Sequence, residues 1–271
     1  FLSMKKRIFY LLIVMILAIL PACNKDRKKL PNDDIAQAIT DFVPIPSIQT
    51  VTTKLELINP PKILAVMPGT AYKPGADDQR RSYALGVLQA DLMLAAIVGN
   101  GSVLDRYYAD YIDLATALNL EKQAADVKTA MQDLVRAGEW AEISSACAQL
   151  KQKYEAAAWD SAQYETYTLY LLGQWVEVSR LYSVIFAEEQ AETVADSPFE
   201  DGLWTSIHKN MQLFSTEDLT GSNWFQKSYN EVAKLAELTD SPSGFIVNSA
   251  ALGKISAMTG LINEIIAKDT P

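Results

Sequence analysis

The chain offers few side chains able to do chemistry. It has one histidine, His208, and two cysteines, Cys23 and Cys147. One histidine excludes multi-histidine metal centres. A serine–histidine–acid triad would have to use His208, and no Gly-x-Ser-x-Gly turn is present to hold the serine. Phosphate-binding and dinucleotide-binding glycine loops are also missing from the sequence. No cofactor or metal is therefore expected. His208 falls in a predicted helix around Trp204–Lys209 and reads as a partly exposed structural histidine.

Two carboxylates stand out because of what surrounds them. Asp91 sits within the apolar run Ala84–Val98, where a helix is buried on most sides. A buried carboxyl needs a partner or a raised pKa. Tyr107, Tyr108 and Tyr111 on the next predicted helix offer hydroxyls, and Arg106 offers charge. Glu177 lies in Leu171–Arg180, three residues before Arg180, so the two can pair on one helix face. Nearby Gly173 has no side chain and allows another helix to approach closely. Both acids read first as packing residues in a hydrogen-bond network. If Asp91 and Glu177 met across one pocket, they could serve as an acid/base pair for hydrolysis.

Cys23 carries a different chemistry. Met4 is followed by Lys5, Lys6 and Arg7, then by an apolar run from Ile8 to Leu20, then by Leu20-Pro21-Ala22-Cys23. A basic start, a short apolar stretch and small residues before a cleavage point form a secretory signal. A cysteine at that point makes a lipobox, with a thiol that takes a diacylglycerol. The apolar stretch is about 15 residues, short of the ~20 needed to span a bilayer, and Pro21 breaks it. We expect translation to begin at Met4, residues 1–22 to be the signal peptide, and Cys23 to be the lipidated N-terminus.

The whole chain has a net charge of −9, and residues 1–22 contribute only positive charge, so the remainder is more acidic still. That balance argues against nucleic acid as a partner. Lys25, Arg27, Lys28 and Lys29 after Cys23 read as part of a solvated tether that can also attract anionic lipid. With Cys23 used for lipid, Cys147 has no partner for a disulfide and reads as a small buried helix residue.

The elements that position these residues are helices. Glycine is scarce at 12 of 271, while alanine, leucine and glutamate are plentiful. Residues 23–46 read as a flexible tether, with one short helix near Asp34–Phe42 ended by Pro44 and Pro46. Ser47 caps a possible helix with Ile48, Val51, Leu55 and Ile58 on one stripe, although Val51-Thr52-Thr53 would also suit a strand. Residues 59–76, rich in proline and glycine, read as loop. Helices follow at Asp77–Val98, from Ser102 (with Asp105 as a capping box) to about Leu118, at Glu121–Ala137 and at Glu139–Ala157. Asp160 can cap the next apolar segment, to Ala187. The last three are expected at Trp204–Leu213, Glu217–Leu238 (capped by Thr216) and Ser243–Lys268. Short connections imply antiparallel neighbours. The expected fold is all-α: an irregular antiparallel bundle or array of helical hairpins, forming one domain over residues 47–271.

The aromatic set Trp159, Tyr164, Tyr167, Tyr170, Trp175 and Tyr182 runs through one helical stretch. Such a stripe is mostly core. An exposed subset would form a groove for peptide, glycan or a partner helix.

Two segments together resemble a family. Tyr83-Ala84-Leu85-Gly86-Val87-Leu88-Gln89-Ala90-Asp91-Leu92, continuing to Tyr107-Tyr108 and Leu114-Ala115-x-x-Leu118, is one, and Leu171-Leu172-Gly173-Gln174-Trp175-Val176-Glu177 is the other. Both are similar to uncharacterised all-helical lipoproteins common in Bacteroidetes-type bacteria, and Ile45-Pro46-Ser47 ahead of a helix is similar too. Leu88 stands where that pattern prefers an aromatic residue, and Gln174 where it prefers glycine. The resemblance implies an envelope lipoprotein at the outer membrane, facing the periplasm or the surface. It points to Asp91, Trp175 and Glu177, and it supplies no activity. The expectation is a non-enzymatic binding or assembly module, attached to the membrane by its N-terminal lipid, with an envelope protein or a small ligand as partner. The alternative is a lipid-anchored hydrolase using Asp91 and Glu177. Oligomeric state is not legible.

Overall fold

A long apolar helix forms the middle of the molecule. The computed structural model describes residues 40–55, 60–67, 77–120, 133–160, 163–188, 199, 202–240, 245 and 247–268. All of them belong to one contact unit, Ala38–Pro271. The segment expected to be a signal peptide, Cys23 and the basic residues after it lie outside the described residues, as does most of the helix expected at Glu121–Ala137.

The chain is all-α, and no strand occurs among the described residues. We number its helices α1 (Gln49–Leu55), α2 (Pro60–Val66), α3 (Asp78–Val98), α4 (Gly101–Ala117), α5 (Trp140–Asp160), α6 (Tyr164–Glu188), α7 (Leu203–Gln212), α8 (Glu217–Thr220), α9 (Asn223–Thr239) and α10 (Ser249–Ala267). α3 is long and apolar enough to cross a bilayer, but 83% of its most apolar window is buried within the protein, as in a core helix. Asp77 starts it by accepting a hydrogen bond from the Arg80 amide at 2.7 Å. Gly99 ends it at φ 66°, a conformation that suits glycine.

The most extensive interface joins α3 to α6, two helices that are not neighbours in sequence. A Cβ added at Gly86 would lie 1.9 Å from the Tyr170 carbonyl oxygen, and one at Gly173 would lie 2.1 Å from that of Tyr83. The backbones therefore touch where both side chains are missing. Around this crossing, contacts further along α3 fall further along α6. Ser82 donates to the Thr166 carbonyl at 2.7 Å, Gly86 meets Tyr170, and Asp91 feels the charge of Glu177. The two central helices thus run in the same direction. α4 and α5 also pack on α3, and α10 packs on α6. Trp175, Tyr83, Tyr107, Tyr170 and Leu88 are among the fully buried side chains at this centre. Each contributes on the order of 2 kcal/mol by leaving water.

Several local expectations need correction. Residues 60–66, expected to be loop, form α2. Pro60 and Pro61 open that helix, where the missing N–H groups cost nothing. The helix expected after Ser47, by contrast, is present over Gln49–Leu55, with Ile48, Val51 and Leu55 buried on one stripe as expected. α4 is capped by Asn100 and not by Ser102, whose hydroxyl donates to the Asn100 side chain at 2.8 Å. Asp160 closes α5 instead of opening α6. The helix expected at Glu217–Leu238 is broken at Gly221-Ser222 into α8 and α9. Thr216 precedes α8 without a side-chain capping bond, and Ser222 caps α9. Residues 42–46, assigned to a flexible tether, lie against the domain. Val43 and Pro46 make backbone hydrogen bonds there to Asn210 and Trp175.

Candidate functional site

α3 and α6 bring Asp91 within electrostatic range of Glu177. Both are sealed from solvent, at 0% and 1% exposure. Their surroundings differ. Glu177 accepts two bonds from Arg180, at 2.5 Å from Nη2 and 3.0 Å from Nε. It accepts a third, at 3.0 Å, from the Asn263 amide on α10. Asn263 in turn accepts from the Tyr83 hydroxyl at 2.6 Å. A chain of polar contacts thus runs Tyr83–Asn263–Glu177–Arg180 across three helices.

Asp91 stands beside this chain without joining it. Neither of its carboxyl oxygens has a hydrogen-bond partner among the described residues. Burial pushes its pKa well above the ordinary value, and the charge of Glu177 pushes it further. Arg180 and Arg106 pull the other way and are outweighed. Asp91 therefore holds its proton to higher pH than a free aspartate does. At Arg180 burial opposes the charge, but the bonds and charge of Glu177 outweigh it and hold the guanidinium above its usual pKa.

The hydroxyls expected to serve Asp91 do not reach it. Tyr107 is close enough for the Asp91 charge to raise its pKa, although burial is the larger cause. The Arg106 guanidinium lies 5.0 Å over the Tyr107 ring. Burial raises the phenols of Tyr108 and Tyr111, and the nearby charge of Cys147 raises both further. Cys147 is fully buried, and its thiol is pushed up to about 12 by burial, against a hydrogen bond from Gln89. Trp175 is fully buried and donates its indole N–H to the Pro46 carbonyl at 3.0 Å. Asp91, Glu177, Arg180 and Tyr107 thus act on one another electrostatically, whereas Tyr108 and Tyr111 do not act on Asp91 and Trp175 bonds to Pro46.

Sequence reasoning missed Asn263 and Tyr83. A signal for Asn263 was present, since it is the one amide in Leu261–Ile266, a run otherwise apolar but for Glu264.

His208 is half-buried, with its ring 4.4 Å from that of Tyr229. Burial lowers its pKa, against the pull of Glu237. No group of three or more His, Cys, Asp or Glu able to hold a metal occurs among the described residues. A depression of about 570 Å³ lies where Pro60 and Leu64 of α2 meet Val98 and Asn100. Its walls carry no charged side chain and none of the carboxylates above. In comparisons with known proteins, no family model, curated protein or solved structure matches the chain.

Proposed function

We propose that this chain is a lipid-anchored lipoprotein of the cell envelope whose helical domain is a non-enzymatic binding or assembly module. One observation carries the address: the basic residues 5–7, the apolar run and Leu20-Pro21-Ala22-Cys23. Its resemblance to helical outer-membrane lipoproteins points the same way. The poverty of catalytic side chains supports a binding role, as does the use of Glu177 and Arg180 in internal packing.

A second reading is a lipid-anchored hydrolase working through Asp91 and Glu177. The electrostatic interaction between the two acids favours it. Their burial opposes it, because a substrate bond must reach both groups.

Fractionation of the source envelope tests the address. The wild-type chain should require detergent for release, and Cys23→Ser should be soluble or remain unprocessed. A processed Cys23→Ser chain still held in the membrane would contradict lipid attachment. Cross-linking in the native envelope, read by mass spectrometry, tests the role. One stoichiometric protein partner is expected, and turnover of envelope peptide or glycan by the purified chain would contradict it.

A further inference from the structure

Residues 42–46 form a strap with no helix or strand of its own. Its contacts with the described residues are of a kind suited to an extended peptide. The Asn210 side chain, fully buried on α7, grips Val43 twice. It accepts from the Val43 amide at 2.8 Å and donates to the Val43 carbonyl at 2.8 Å. Trp175 donates to the Pro46 carbonyl. Among the described residues the Asn210 side-chain amide and the Trp175 indole make no other hydrogen bond. Buried amides and indoles need partners, so these two side chains are built around a passing main chain. The Phe42 ring stands edge-on to Trp159 at 5.1 Å and is tilted against Tyr167 at 6.3 Å. Pro44 and Pro46 carry no N–H and favour the extended polyproline conformation, which loses little entropy on docking. Aromatic walls with an indole N–H aimed at a proline carbonyl suit recognition of proline-bearing extended peptides.

We propose that this groove, formed by Trp159, Tyr167, Trp175 and Asn210, is a peptide-recognition site. Its ligand is an extended segment of a partner protein, with an aromatic residue two positions before the first of two prolines spaced by one residue. The strap occupies it in cis as a competing pseudo-ligand. Two features favour a displaceable occupant. The hydrogen bonds are to backbone atoms, which any such segment supplies, and the strap residues from Phe42 to Pro46 are half-buried or exposed, not enclosed. The inference rests on the binding-module reading above and names its ligand.

The test uses the full chain and a fluorescent synthetic peptide with the sequence of residues 40–47, followed by fluorescence anisotropy. The protein variant Phe42→Ala loosens the strap, and Val43→Pro, which removes the N–H that Asn210 accepts, serves if the first does not fold. A loosened chain should bind the peptide saturably, and at least about tenfold more tightly than wild type. Adding Trp175→Phe, which keeps the ring and removes the N–H, should weaken that binding about tenfold. A peptide with both prolines changed to alanine should bind more weakly. No saturable binding by a folded, strap-loosened chain would overturn the proposal, as would binding indifferent to Trp175→Phe. Dimerisation of the loosened chain without peptide, reversed by added peptide, would make a second copy the occupant and overturn the choice of a different partner protein. None of these outcomes depends on Cys23, so failure here leaves the membrane address untouched.

Discussion

Gly86 and Gly173 are reciprocal: each lies against the carbonyl of the tyrosine three residues before the other. Gly86 meets Tyr170, and Gly173 meets Tyr83. Both sites are Tyr-x-Leu-Gly in sequence, so one motif meets its own counterpart where the two central helices cross. The crossing brings Asp91 and Glu177 to the same level, since each lies four or five residues beyond its glycine. Gly86→Ala or Gly173→Ala should each destabilise the domain by about 3 kcal/mol or more, because the added methyl meets backbone that cannot rotate aside. Denaturant unfolding measures this. The double variant should cost less than the two together, because separating the helices for one methyl makes room for the other. Full additivity would contradict the reciprocal crossing.

The raised pKa of Asp91 fixes the sign of a pH effect. Its folded pKa is raised above its unfolded value, near 3.9 for a free aspartate. Below that value both states hold the proton and nothing is lost. Above it the unfolded chain releases the proton while the folded chain keeps it, so stability falls as pH rises toward the folded pKa. The slope of this single group reaches about 1.4 kcal/mol per pH unit. Asp91→Asn should remove that contribution. Melting temperature followed from pH 4.5 to 8 should fall less in the variant than in wild type. An unchanged profile would show that Asp91 is ionised in the folded chain.

Glu177→Gln makes two changes at once. It breaks the bidentate pair and strands Arg180, which is 23% exposed and so partly rescued by water. A loss of about 2 to 3 kcal/mol is expected, less than for a fully enclosed pair. It also removes the negative charge that helps to raise the Asp91 pKa. The infrared band of the protonated Asp91 carboxyl should then disappear at lower pH than in wild type. An unshifted band would mean that the two carboxyls do not interact.

Much of this arrangement is legible from residue types, and the remainder has identifiable causes. α3 announces itself by its apolar length, by Asp77 and by Gly99. The Glu177–Arg180 pair follows from helical spacing, and the close approach at Gly173 follows from its missing side chain. Composition gives no rotation of one helix about its axis relative to another. For that reason Tyr107, Tyr108 and Tyr111 were all plausible donors to Asp91, and none of them donates. α2 was hidden because Pro60-Pro61 marks a loop as readily as a helix start. The strap was hidden because Asn210, which holds Val43, lies 167 positions away.

Cys147 should be inert in the folded state. Burial raises its thiol to about 12 and closes it to solvent. In a Cys23→Ser chain, an aromatic disulfide reagent at pH 8 should react only as the protein unfolds. Reaction in the absence of denaturant at the rate of a free thiol would contradict the buried position.

The proposed membrane address is tested most directly at the N-terminus itself. Mass spectrometry of the N-terminal tryptic peptide, from chain purified out of its own envelope, should find it beginning at Cys23 with the added mass of a diacylglycerol. A peptide beginning elsewhere, or Cys23 with a free thiol, would contradict the account.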